Sequence, residues 1–336
     1  MPINIDGSKG IRQNTTEVTK IPVGTTAQRP TNPDAGMIRF NTDQGFVEWY
    51  DDVGDVWLPM NQISSVAATG GTVTEITQDG VVYRVHTFTS DGTFEVDRGG
   101  EVEYLIVAGG GGSTEHTDTD AGGGGGGAGG FVSASDLLVG GSYTVVVGAG
   151  GPVNTEGSNS SLGTAPTAIG GGRGASWNDQ QATSGGSGGG GSFSIPPESG
   201  TPGQGFAGGS GVGGPNDFDG GGGGGGGANA VGGGAFRDGI TDNAGAGGAG
   251  KQWLNGSFYA GGGGGGTRSS DVISGTSATG GPGGVGGGGN GGGPNNGFTP
   301  QNGVPNTGGG AGGGSHDHTQ AAVGGSGIVI VRYRIG

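Results

Sequence analysis

The sequence predicts a mainly β chain, with a short N-terminal β module followed by a β framework enclosing a polyglycine II helical bundle. Three observations carry that expectation. Glycine supplies 96 of the 336 residues and proline 15, together about a third of the chain, against roughly 12% in an average domain. The glycines fall in runs and not at every third position, which excludes a collagen helix. Between the runs stand short stretches of β-branched and aromatic residues of strand length. Leu, Ile, Val and Phe make up under about 20% of the chain, which excludes an ordinary apolar core running through all of it. Order in such a chain needs a packing scheme that works without side chains.

Taken in order, residues 1–20 are polar and read as an arm. Residues 21–60 read as short β elements punctuated by Pro30, Pro33 and Gly36. MIRFN (37–41) and FVEWY (46–50) alternate around Asp43–Gln44–Gly45, a hairpin signature, and Asp51, Asp52 and Asp55 mark a second turn before VWLPM. A segment of about 40 residues is too small to bury a core alone. Its Met37, Phe40, Phe46, Trp49, Tyr50 and Trp57 are therefore candidate oligomer-interface residues. Residues 61–80 read as a linker with one strand, TVTEIT.

Residues 81–336 form the glycine-rich domain, framed by strands within 81–110, 142–151 and 327–336. EVEYLIVAG (101–109) and GIVIVRYRIG (327–336) are expected in one sheet, so that the two ends of the domain meet. The runs 122–127, 220–227 and 261–266 are expected near φ about −75° and ψ about +145° or its mirror image. In that conformation N–H and C=O point outward in three directions, and only glycine lets neighbours approach on every side. Ordering a residue costs about 1–2 kcal/mol of backbone entropy, and a net hydrogen bond returns about 0.5–1.5 kcal/mol. Such a bundle holds only if pairing is nearly complete and an apolar framework pins its ends.

Charge and composition exclude several function classes. Thirteen basic against 28 acidic residues give a net charge of −15, which repels nucleic acid and anionic membranes. There is no cysteine, so disulfides, thiolate catalysis and cysteine-ligated zinc are excluded. The N-terminus lacks the apolar stretch of a secretory signal. Apolar runs of about six residues cannot span a bilayer.

Chemical motifs are weak. Residues 245–251 match the spacing of a phosphate-binding loop, but Gln252 stands where the magnesium-binding hydroxyl belongs. Gly185–Gly189 around Ser187 matches a nucleophile-elbow spacing inside a Ser/Gly tract. With 96 glycines such matches arise by chance, and no enzyme is expected. Glu115, His116, Asp118 and Asp120 offer oxygen ligands for calcium, or form a solvated acidic loop tip. His316 and His318 lie two residues apart and so share a face of an extended strand. Repeated around a threefold axis they make a candidate transition-metal site; the alternative is a surface loop. No other cofactor is implied.

Aromatic residues cluster in the loops between runs. They either cap the bundle or stack on sugar rings. Trp177, Asn178 and Asp179, Asn216, Asp217 and Phe218, and Asn295, Asn296 and Phe298 are the candidate receptor-contact residues.

The ordered series HTFTSDGTFEV, EVEYLIVAGGGG, YTVVVGAGG, GSNSSLG, AIGGGRGA and GGSGIVIVRYR, over about residues 83–336, resembles the glycine-rich domain of bacteriophage tail-fibre and related virion proteins. IPVGTTAQRPTNPDAGMIRFNTDQGFVEWYD resembles short modules of phage structural proteins, especially those of marine cyanobacterial phages. The runs also resemble the polyglycine bundles of T-even-type fibre-tip adhesins, although this chain adds long β elements and its own N-terminal module. The resemblance implies a non-enzymatic virion structural protein, a fibre or adhesin. It would be assembled in the host cytoplasm and displayed on the virion surface. It would be a homotrimer or another cyclic oligomer, anchored to other virion proteins through its N-terminal region and meeting a host glycan or protein with its loops. An extracellular filament or matrix subunit, or an ice-binding polyglycine protein, are the other classes that fit.

Overall fold

The computed structural model describes residues 21–52, 54–60, 66–114, 122–176, 180–213, 220–238, 241–267, 279–293, 299–315 and 321–335. The chain divides into two compact units, Met1–Ser64 and Ser65–Gly336.

The first unit is a four-stranded sheet in the order β1 (Val23–Gly24), β2 (Ile38–Asn41), β3 (Phe46–Asp51) and β4 (Val56–Pro59). Its β2–β3 hairpin pairs Ile38 with Trp49 and Phe40 with Val47, as the sequence alternation predicts. Strand alternation gives the sheet two faces. One carries Val23, Ile38, Phe40, Val47, Trp49 and Leu58. The other carries Arg39, Asn41, Glu48 and Tyr50, all buried. A short 3-10 turn, Thr26–Gln28, precedes Arg29, whose Nη2 lies 2.6 Å from Glu48 Oε2. Arg39 and Asn41 complete the shell around the same carboxylate, at 3.4 Å and 3.0 Å.

In the second unit, the division at Ser65 places the stretch read as a linker partly inside the framework. That stretch carries two strands, β5 (Ala67–Thr69) and β6 (Thr72–Gln78), where the sequence suggests one. Then come β7 (Val81–Phe88), β8 (Gly92–Arg98), β9 (Gly100–Val107), β10 (Phe131–Leu138), β11 (Gly141–Val146) and β12 (Ser161–Leu162). Three small hairpins follow: β13 (Val212–Gly213) with β14 (Gly220–Gly221), β15 (Phe236–Asp238) with β16 (Thr241–Asn243), and β17 (Lys251–Gln252) with β18 (Phe258–Tyr259). The last strand is β19 (Ile328–Arg334).

β9 and β19 are antiparallel neighbours, as expected for the clamp, in a five-stranded sheet ordered β10-β9-β19-β7-β6. A second sheet is ordered β12-β11-β8-β5. Both β9 and β19 are covered on both faces, which explains their unbroken apolar runs. Tyr104, Ile106, Val329, Val331 and Tyr333 pack with Phe94, Val96 and Val145 of the second sheet. Leu105, Val107, Ile328 and Ile330 pack the other way, with Ala128, Phe131, Trp253 and Tyr259.

The glycine runs leave this framework as a lattice of backbone hydrogen bonds with a three-residue repeat. Along residues 122–130, the N–H groups of Gly122, Gly125 and Ala128 donate to Gly220, Gly223 and Gly226. Those of Gly123, Gly126 and Gly129 donate to Gly314, Ala311 and Gly308. Those of Gly124, Gly127 and Gly130 donate to Ala175, Gly172 and Ile169. Its carbonyls accept from three further segments: Gly263 and Gly266, Ser187 and Gly190, and Ala108 and Gly111. Six segments thus surround one. Residues 222–228 and 261–267 repeat the pattern, each with its own six neighbours.

Close approach is what demands glycine here. A Cβ placed on Gly126 would overlap the Gly111 carbonyl, and one on Gly263 the Ala311 carbonyl. Alanine enters where a neighbour is apolar: Ala128 sits in the Leu105–Phe131–Trp253 cluster, and Ala175 packs with Ala182 and Ile195.

Candidate functional site

Register within the lattice sorts its two ends. At one end Gly130 pairs with Ala108 and Ile169, and Ala228 with Ala260, beside the start of β10 and the finish of β9. At the other end Gly122 pairs with Gly220, Gly123 with Gly314 and Gly124 with Ala175. On this same level Gly222 donates to Gly266, Thr267 donates to Gly292, and the Ser192 hydroxyl caps the Gly122 carbonyl at 2.8 Å.

These residues bracket the segments that carry the sequence candidates. Trp177, Asn178 and Asp179 are flanked by Ser176 and Gln180, which hydrogen-bond each other at 2.9 Å. Asn216, Asp217 and Phe218 are flanked by Gly213 and Gly220, a paired position of the β13–β14 hairpin. Asn295, Asn296 and Phe298 follow Gly292, and His316 and His318 follow Ser315. The acidic stretch Glu115–Asp120 precedes Gly122. All of these candidates lie outside the described residues, and so does the arm 1–20. Their brackets share one end of the lattice, and the β framework closes the other.

The sequence reading missed a set of polar groups at this end. Thr114 Oγ1, Thr267 Oγ1, Ser315 Oγ and Gln180 Oε1 are buried with no hydrogen-bond partner among the described residues. Thr114, Gln180 and Ser315 each border one of the bracketed segments, and Thr267 ends the run 261–267 on the same level. A hydroxyl or amide set directly against a glycine run is the signal that points to them. A buried polar atom without a partner is costly, so these groups form a polar floor that favours hydrated or polar neighbours.

The interface candidates are divided by the sheet of the first unit. Phe40 and Trp49 lie on its apolar face, whereas Phe46, Tyr50 and Trp57 lie on the opposite one. Met37 is half-buried just ahead of β2. Tyr50 is buried and its hydroxyl donates to Asp55, which with burial pushes the phenol up to about 12.

The two glycine-motif matches lie within the lattice. The N–H groups of Gly245, Gly247, Gly248 and Gly250 donate to lattice carbonyls. Ser187 is fully buried inside the lattice. His86 is likewise a buried framework residue. An open groove of about 540 Å³ lies beside Phe206, Asn229 and Lys251 at the framework end, where the Lys251 ammonium sits over the Phe131 ring at 5.2 Å. No group of metal-ligating side chains occurs among the described residues.

Residues 87–334 match the model of a family described as a glycine-rich domain. No curated protein and no solved structure matches the chain.

Proposed function

The chain belongs to the glycine-rich domain family, and from that premise we propose a non-enzymatic structural protein of a bacteriophage particle, a fibre or adhesin whose loop end meets the host surface. The observation that carries this reading is the gathering of the loop brackets at one end of a rigid lattice. Six covered neighbours around each central run leave little freedom inside, so sequence variation is tolerated only where the chain leaves the lattice. A scaffold of this kind holds variable segments side by side and lets their sequence change without cost to the core. Aromatic and amide side chains in those segments suit sugar rings and their hydroxyls. The polar floor of Thr114, Thr267 and Ser315 suits a hydrated contact. Tight backbone pairing also suits an appendage that must stay folded outside the cell without disulfides.

The N-terminal region serves in this reading as the anchor to the particle. Antibody labelling of virions against residues 214–219 and against the first unit tests both halves of the proposal. Labelling of an external appendage, with adsorption blocked by the loop antibody, is the expected result. Absence of the chain from purified particles, or adsorption unchanged after simultaneous replacement of 177–179, 216–218 and 295–298, would overturn it.

A further inference from the structure

We propose that the groove beside Phe206, Asn229 and Lys251 binds a sugar ring carrying one negative charge. The groove lies at the framework end of the second unit, away from the bracketed loop segments. Its volume of about 540 Å³ falls within the roughly 300–1,000 Å³ of ordinary ligand clefts. Charge is what singles it out. The chain has 28 acidic and 13 basic residues, yet no carboxylate lines the groove, and Lys251 is the one charged residue that does. Among the described residues the Lys251 ammonium has no carboxylate partner. It rests over the Phe131 ring, 5.2 Å from the ring centre. That contact holds the side chain in place and leaves its charge unneutralised.

A backbone donor accompanies the ammonium. In an extended strand with three residues per turn, successive N–H groups point about 120° apart. Phe206 donates to the Gly227 carbonyl and Gly208 to the Glu198 carbonyl. The N–H of Ala207 takes the third direction and donates to no acceptor among the described residues, and Ala207 lines the groove. Two donors without a carboxylate nearby suit an anion. The remaining walls select what carries it. Phe206 is 45% exposed, an apolar ring against which the C–H face of a sugar packs. Asn229 and Ser199, both exposed, add an amide and a hydroxyl that pair with sugar hydroxyls.

The rim is built before a ligand arrives. Pro202 and Gly203 occupy the middle of a turn in which Gln204 donates to the Thr201 carbonyl at 3.0 Å, with Gly203 at φ +81°. The Thr201 hydroxyl donates to the Gly185 carbonyl at 2.8 Å. The Gln204 side chain donates to the Thr167 carbonyl and accepts from the Ile169 N–H, each at 2.9 Å. A rim fixed in this way loses little freedom on binding. The assignment does not depend on what the loop end meets.

The test is saturation-transfer NMR on the full-length chain, with sodium glucuronate, glucose monosulfate, glucose and sodium acetate as probes. One of the two charged sugars is expected to bind, with transfer strongest at its ring C–H protons. Glucose and acetate are expected to bind at least about tenfold more weakly. Lys251→Met keeps the stem over Phe131 and removes the charge, and Phe206→Ala removes the apolar wall. Each should weaken binding about tenfold or more while the thermal transition stays in place. Arg334→Met removes the same charge at the exposed end of β19 and should bind as the wild type does. Binding of either charged sugar keeps the proposal, and comparing the two tells a carboxylate from a sulfate. Binding of neither, equal binding of glucose or acetate, or undiminished binding by Lys251→Met would overturn it. Simultaneous replacement of 177–179, 216–218 and 295–298 should leave this binding intact, which separates failure here from failure of the loop-end reading.

Discussion

His86 Nε2 lies 3.0 Å from the hydroxyl of Tyr333, joining β7 to the last strand across 247 positions of sequence. The other ring nitrogen, Nδ1, lies 2.8 Å from the Gly70 carbonyl. That carbonyl can only accept, so Nδ1 carries the proton and Nε2 accepts from Tyr333. The ring is fully buried and edge-on to Phe94 at 5.1 Å. Burial, and to a lesser degree the charge of Arg84, hold the imidazole below its ordinary value against the opposing bond to Gly70.

A pH dependence of framework stability follows. The unfolded chain takes up the His86 proton near pH 6.5, and the folded chain only at lower pH. The contribution is complete above about 6.5 and is lost as pH falls through the depressed folded value. The slope reaches at most about 1.4 kcal/mol per pH unit for one proton. Thermal unfolding from pH 8 to 5 should show a fall in midpoint that His86→Gln flattens. Equal slopes for both proteins would refute the role of this ring.

The lattice yields a prediction about single methyl groups. Gly126→Ala and Gly263→Ala place a Cβ onto backbone carbonyls of a neighbouring run. Backbone on all six sides cannot give way as a flexible side chain does, so each should cost more than about 3 kcal/mol. Gly92→Ala is the control, since its Cβ would meet only Phe88 at ordinary contact distance, 3.4 Å. Chemical denaturation separates the two classes. A loss below about 1 kcal/mol at Gly126 would mean that the runs are not held as tightly as their hydrogen bonds indicate. Polyglycine II backbone angles along 122–127, 220–227 and 261–266 are a companion expectation, checked by backbone chemical shifts along these runs.

The clamp between the ends of the glycine domain is closed by Arg332. Its Nε donates to Glu103 Oε2 at 2.7 Å, Nη1 donates to Gln78 Oε1 at 2.7 Å, and its guanidinium covers Tyr83 at 4.4 Å. Arg332 is buried whereas Glu103 is only about two-thirds covered, so removing the arginine and removing the carboxylate are not equivalent. Arg332→Ala loses packing on Tyr83 and Trp253 as well as charge, and should cost about 3 kcal/mol, whereas Glu103→Gln should cost about 1 kcal/mol. Denaturant midpoints decide it, and equal losses would sink the asymmetry.

What could be read from sequence follows from burial. The runs EVEYLIVAG and GIVIVRYRIG announced themselves because β9 and β19 are covered on both faces. FVSASDLL, which became β10, did not: as an edge strand it leaves Ser133–Leu137 exposed and carries little apolar signal. The alternation at 38–50 revealed two faces in the first unit. It did not reveal that Arg39, Asn41 and Glu48 take the covered one, because that depends on Arg29 reaching back across the sheet. The loops were legible as interruptions between runs. Their common level was not, since it depends on which runs lie parallel and which antiparallel.

The acid limit of the first unit should differ from that of the second. Burial works to raise the Glu48 carboxyl, but hydrogen bonds from Arg29 and Asn41, with the charges of Arg29 and Arg39, overcome it and hold the group below its ordinary value. For a depressed carboxylate the stabilisation is complete above its unfolded value of 4.5 and is lost as pH falls through the folded one. The His86 contribution begins to fade near 6.5, about two pH units higher. Between these values the framework weakens while the Arg29–Glu48–Arg39 cluster stays intact. Hydrogen exchange at pH 5.5 should therefore show faster exchange in β7 and β19 than at pH 7.5, with β2 and β3 unchanged once rates are corrected for pH. Glu48→Gln should remove the protection of β2 and β3 at both pH values, because two guanidinium groups then face a neutral partner. Protection of β2 and β3 that survives this substitution would show that the carboxylate does not hold the first unit.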